Sequence, residues 1–140
     1  GEGYTVNLPV PGGPGDAAYR SLAEHVGAAL IRVWRPELVL ICAGFDAHRD
    51  DPLATCRVTE AGFAAMTASL RRAADEVGAP VGVILEGGYD LGALAGSMAA
   101  LMPVLTEPET PSAELVAVEM HPLARDARER LRRWWPELNS

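Results

Sequence analysis

Leu38-Val39-Leu40-Ile41-Cys42-Ala43-Gly44 is an unbroken apolar run. Its length predicts a strand buried on both faces, as in a parallel sheet flanked by helices. Upstream, Tyr19, Leu22, Ala23, Val26, Ala29, Leu30 and Val33 recur at helical spacing. Asp16 is the candidate N-cap of that helix, which should end before Pro36. Earlier still, Thr5 to Val10 alternates in the manner of a short strand. It stops at Pro11-Gly12-Gly13-Pro14-Gly15, a loop that cannot be helical.

Downstream of the run comes a polar loop, Asp46 to Arg57. Thr59 should cap the next helix, whose stripe is Phe63, Met66, Leu70, Ala73, Ala74 and Val77, and Gly78-Ala79-Pro80 should end it. Val81-Gly82-Val83-Ile84-Leu85 reads as a second buried strand, Glu86-Gly87-Gly88-Tyr89 as a tight turn, and Asp90 as the cap of a helix reaching about Leu101. A linker follows over 106–120, with Pro108 and Pro111, and then a last helix from about Pro122 to Trp135. Strand and helix alternate, which predicts an α/β fold in three layers with a mostly parallel sheet. The expected organisation is an α/β domain over 1–105, the linker over 106–120, and a helix over 121–140 that packs on the domain.

Composition narrows the function. The chain has 140 residues, 49% hydrophobic and 22% charged, which is enough apolar material for a real core. The net charge is −7, so no nucleic-acid surface is expected, since that needs a basic face. All 12 basic residues are Arg, which removes Schiff-base chemistry and the phosphate-loop lysine. No apolar run approaches the ~20 residues that span a membrane. Gly1-Glu2-Gly3-Tyr4 carries no signal-peptide pattern, and a cytoplasmic location is expected. Cys42 and Cys56 make neither a disulfide framework nor a thiolate zinc site. A homo-oligomer is compatible with the sequence.

Two segments can carry chemistry, and both lie just past the C-terminal end of a predicted strand, the edge where parallel sheets bind ligands. In Gly44-Phe45-Asp46-Ala47-His48-Arg49-Asp50-Asp51-Pro52-Leu53, a carboxylate is followed two residues on by a His. If this stretch is extended, both side chains face one way and can share a cation. The alternative is a polar loop whose Asp residues cap turns and whose His is solvated. In Glu86-Gly87-Gly88-Tyr89-Asp90, two glycines permit a sharp turn and close ligand approach. The phenol after them can donate to a developing oxyanion. A glycine turn with Tyr89 packed on the next helix, or a phosphate cradle at a helix N-terminus, are the competing readings. His25 reads as a boundary residue, His121 as solvated, Cys42 as a small core hydrophobe, and Trp34, Trp134 and Trp135 as packing anchors.

Together, Ala43 through Leu53 and Glu86-Gly87-Gly88-Tyr89 resemble the histone deacetylase superfamily. The likeness is greatest to its bacterial class II-like deacetylases, acetylpolyamine amidohydrolases and acetoin-utilisation proteins. Gly3 to Pro9 with Gly15-Asp16 is similar to the stretch before the first helix in that family. The resemblance covers about residues 1–104. It implies the C-terminal half of a deacetylase (arginase-like) α/β fold, with Zn2+ as cofactor and an acetylated lysine or polyamine as substrate. Carried over by position, Asp46 would be a zinc ligand and Tyr89 the donor to the substrate carbonyl. Leu53 would line the substrate channel, and Gly87 and Gly88 would form its wall. The position of His48 is not a ligand in that family, which sets aside the shared-cation reading.

The family's other ligands, an Asp-x-His pair, and its His-His acid–base pair lie on earlier segments. This sequence has three His and no His-His pair. The expectation is therefore a C-terminal portion, inactive alone, weak in zinc binding, and bare where the N-terminal half of the enzyme would pack. A non-catalytic remnant or binding module of α/β fold is the alternative reading. The negative charge favours cationic substrates through steering.

Overall fold

A computed structural model describes residues 2–108 and 117–139. The linker expected over 106–120 falls largely outside them. The apolar run forms β1 (Val39–Ala43) and the second run forms β2 (Val81–Leu85). They pair in parallel, Val39 opposite Val81 through Ala43 opposite Leu85. Between them runs α3 (Glu60–Val77), and after them α4 (Leu91–Thr106), longer than expected and carrying Pro103 inside it. Upstream, α1 (Asp16–Leu22) passes through a π-helical stretch, Ala23–Ala28, into α2 (Ala29–Trp34). α5 (Pro122–Leu131) and a short 3₁₀ turn, Pro136–Asn139, follow. No described helix is long and apolar enough to cross a membrane.

Local chemistry sets these boundaries. The Thr59 hydroxyl accepts the Gly62 N–H at 3.2 Å, and the Asp90 carboxylate accepts the Ala93 N–H at 2.7 Å. Both satisfy donors that a helix start leaves orphaned. Gly78 ends α3 in the left-handed conformation, φ 78°. Asp16 is not the cap of α1; that position is Gly15. Its carboxylate instead takes the Thr59 N–H at 2.8 Å and the Thr59 hydroxyl at 2.7 Å, tying the start of α1 to the start of α3.

Two apolar clusters hold the chain. One lies between the sheet and helices α3 and α4: Ala43, Phe45, Val58, Phe63 and Leu101, with Ile41 and Val83 from the strands. Phe45 and Phe63 meet edge-on at 4.9 Å. The other joins Leu22 and Val26 to Ala124, Ala127 and Leu131 of α5. Ion pairs of Glu24 with Arg32 and Arg72, and of Arg32 with Glu76, bridge α2 and the π-helical stretch to α3.

Three expectations are corrected here. Thr5 to Val10 is not a strand; Val6, Leu8 and Val10 lie on the α5 cluster while their neighbours face out. The alternation is real, but the extended segment meets helices rather than a hydrogen-bonding strand. Second, β1 is buried on one face only. Leu40 is 57% exposed, Ile84 48%, and Cys42 is exposed beside them, so Cys42 is no core residue. The nearby Glu86 carboxylate raises the Cys42 pKa, by hydrogen bond first and charge second. Third, Trp34 and Trp134 are exposed, whereas Trp135 packs inward and donates its ring N–H to the Gly3 carbonyl at 2.8 Å.

Candidate active site

The two parallel strands deliver their following loops to one rim, and the pairing continues past the strand ends. The Glu86 N–H donates to the Ala43 carbonyl at 3.0 Å, and the Phe45 N–H to the Gly87 carbonyl at 2.8 Å. Phe45 points into the core at 2% exposure and anchors the first loop from below, leaving Asp46 exposed above it. A Cβ on Gly87 would stand 3.2 Å from the Asp46 carboxyl carbon and Oδ2. Glycine therefore lets the turn lie directly against that carboxylate. Gly88 has φ 130°, a conformation that L side chains rarely adopt, and a Cβ there would press on Phe45 and Leu94. The chain then emerges at Tyr89, 60% exposed, with Leu53 on the facing loop 71% exposed.

Asp46, Gly87, Gly88, Tyr89 and Leu53 thus belong to two loops of one rim, and the joint between those loops is a residue that spacing did not single out. Asp51 is only 6% exposed. Its Oδ2 accepts the Tyr89 N–H at 2.7 Å and its Oδ1 accepts the Leu53 N–H at 2.9 Å. Burial pushes the Asp51 pKa up. The N–H groups of Tyr89, Leu53, Ala54 and Asp90 more than offset that and hold it below the usual carboxylate range. The sequence signal was present: Asp followed by Pro marks an Asx turn, here closed onto Leu53.

His48 overturns both readings of its spacing. The chain turns at 45–48 instead of extending, with the His48 N–H donating to the Phe45 carbonyl at 3.0 Å. The ring is buried, stacked 6.4 Å from Phe63, while Asp46 is exposed, so the two do not share a face. Its Nδ1 accepts the Asp50 N–H at 3.1 Å, and its Nε2 lies 3.5 Å from the Glu60 carboxylate. Glu60 is held below the usual range first by its own backbone N–H and then, against burial, by His48. Nor is His121 merely solvated; its Nδ1 accepts the Leu123 N–H at 3.2 Å, capping α5. His25 sits at a boundary, as expected, with Nε2 2.7 Å from the Val118 carbonyl.

Among the described residues, no three His, Cys, Asp or Glu side chains come together as a metal site. Asp46, an exposed carboxylate on the rim, suits one position of a zinc site, but a catalytic zinc takes about three protein ligands. Among the described residues, Asp46 stands without the partners that such an ion would need.

A parallel sheet with helices packed on it, and a glycine-turned rim carrying a carboxylate and a phenol, define an α/β protein with a polar rim at the C-terminal ends of its strands. Residues 1–105 match the histone deacetylase domain, and the chain belongs to that family. Histone deacetylase 15 of Arabidopsis thaliana is 45% identical over 116 residues, covering 82% of this chain and 20% of the relative. A probable deacetylase of Archaeoglobus fulgidus is 31% identical over 126 residues, covering 83% of this chain and 35% of the relative. The crystal structure of the HDA15 HD domain superposes with a TM-score of 0.80 at 39% identity, over 99% of this chain and 37% of that one. The histone deacetylase Clr3 gives 0.72 at 30%, over 92% and 21%. The chain thus spans between a fifth and two fifths of these proteins and corresponds to part of the deacetylase fold.

Proposed function

We propose that this chain is the C-terminal part of a zinc-dependent amidohydrolase that removes acetyl groups from lysine side chains or polyamines. The observation that carries the reading is the convergence of Asp46, Gly87-Gly88 and Tyr89 on one rim, with the Asp46 carboxylate against the Gly87 backbone. Asp46 would serve as one ligand of the ion. The bound zinc would supply Lewis acidity to the substrate carbonyl and acidify a water. Tyr89 donates its hydroxyl proton in a hydrogen bond to the carbonyl oxygen, a bond that strengthens as negative charge develops there. Leu53 covers the apolar stem of the substrate, and the glycines let that stem approach the main chain.

The remaining ligands and the general base come from sequence outside this chain. The same sequence covers the bare sheet face at Leu40 and Ile84. This accords with the small share of each relative that the chain spans. On this reading the 140 residues alone neither turn over substrate nor retain zinc.

The test is deacetylation of an acetyl-lysine peptide and an acetylpolyamine by the complete protein that carries this chain. Wild type should turn over one of them, with about one zinc bound per active site. Asp46→Ala should lose both zinc and turnover. Full zinc content and full turnover in that variant would remove Asp46 from the metal site.

A further inference from the structure

Tyr89 follows two glycines, one of them at φ 130°, and its side chain is exposed. A phenol on such a pivot has many orientations open to it. A hydrogen-bond donor contributes to catalysis only when it is already aimed, since a displacement of about 1 Å can cost a hundredfold in rate. Something must therefore fix the chain at Tyr89. The bond that does so is the 2.7 Å contact from its N–H to Asp51 Oδ2.

Asp51 is well built for this. It is buried on the opposite loop, held there by its own N–H to the His48 carbonyl at 3.0 Å. The His48 ring is itself buried and accepts the Asp50 N–H on Nδ1 at 3.1 Å. The second oxygen of the same carboxylate holds the Leu53 N–H at 2.9 Å. One side chain thus sets the backbone of both the phenol donor and the leucine beside it, and ties the rim loop after β1 to the rim loop after β2. An ionised carboxylate can accept on both oxygens at once; its amide counterpart has one acceptor and presents N–H groups at the other position.

We infer that Asp51 is a positioning residue for the reaction assigned above, orienting Tyr89 and Leu53 through their backbone N–H groups. It touches neither substrate nor metal. The inference rests on the deacetylase reading and deepens it.

The experiment is a double-mutant cycle in the complete protein, with Asp51→Asn, Tyr89→Phe and the pair, reading kcat, KM and zinc content. Asp51→Asn should lower kcat about tenfold to a hundredfold, the usual loss for a supporting residue, with zinc content unchanged. In the Tyr89→Phe background the same substitution should change kcat by less than about twofold, because no hydroxyl is left to aim. A kcat loss that persists undiminished in that background assigns Asp51 to general scaffolding and overturns the proposal. A Tyr89→Phe variant with wild-type kcat would instead remove the reading beneath it, so the two failures are told apart. Should Asp51→Asn fail to fold, hydrogen exchange of the wild-type protein decides. The Tyr89 amide should be protected despite its exposed side chain, and exchange at the rate of an open loop would end the proposal.

Discussion

The two faces of the β1–β2 sheet carry the same kinds of residue and have opposite fates. On one, Ile41, Ala43 and Val83 lie under α3 and α4 with Phe45, Phe63 and Leu101. On the other, Leu40, Cys42 and Ile84 stand in the open, and Leu40 lies across Gly82 for want of a better neighbour. Sequence does not distinguish them: both alternations within the run are apolar. The difference teaches that the apolar run was written for two layers, of which this chain supplies one. A contiguous apolar face next to an open strand edge marks an unfinished interface. The rim that carries Asp46 and Tyr89 lies at the end of this same sheet.

The largest effect should come from the covered face. Phe45→Ala should cost about 3–5 kcal/mol in urea unfolding, through lost burial and the cavity left against Phe63. A loss of under about 1 kcal/mol would mean that the two faces are equally loose. Removing the cap that starts the covering helix, Thr59→Ala, should cost about 1 kcal/mol, up to about 2, by the same measurement. The smallest effect is expected on the bare face. Leu40→Ala in the 140-residue chain should stay within about 0.5 kcal/mol, whereas in the complete protein it should cost about 2–5 kcal/mol if that face is covered. Equal costs in both settings would break the comparison.

Acid titration sharpens it at the rim. The folded Asp51 pKa lies below its unfolded value, about 3.9. Its stabilisation is therefore present above that value and is lost as the pH falls through the folded one. The melting temperature of wild type should decline more steeply below about pH 4 than that of Asp51→Asn. Parallel curves would show that the joint between the two loops carries no linkage.

Much of this was legible. The α/β alternation, both strands, the caps at Thr59 and Asp90 and the stop at Gly78 followed from local chemistry that the chain carries in short windows. The address of Asp46 and Tyr89 followed from parallel topology. What stayed hidden depended on tertiary partners. Thr5 to Val10 has the period of a strand but meets helices. The shared-cation reading of His48 assumed an extended chain, where the chain turns, and the solvated-loop reading missed that its ring is buried. Asp51 looked like one carboxylate among several, and only the fold shows that Tyr89, thirty-eight positions on, hands it an N–H.

The central claim is that the Tyr89 hydroxyl acts on the substrate carbonyl at a rim shared with Asp46. The direct measurement is kcat of Tyr89→Phe in the complete protein on its acetylated substrate, with zinc content checked alongside. The account predicts a fall of about 10²–10³ at unchanged zinc content, the loss expected for one oxyanion donor. Turnover equal to wild type would contradict it.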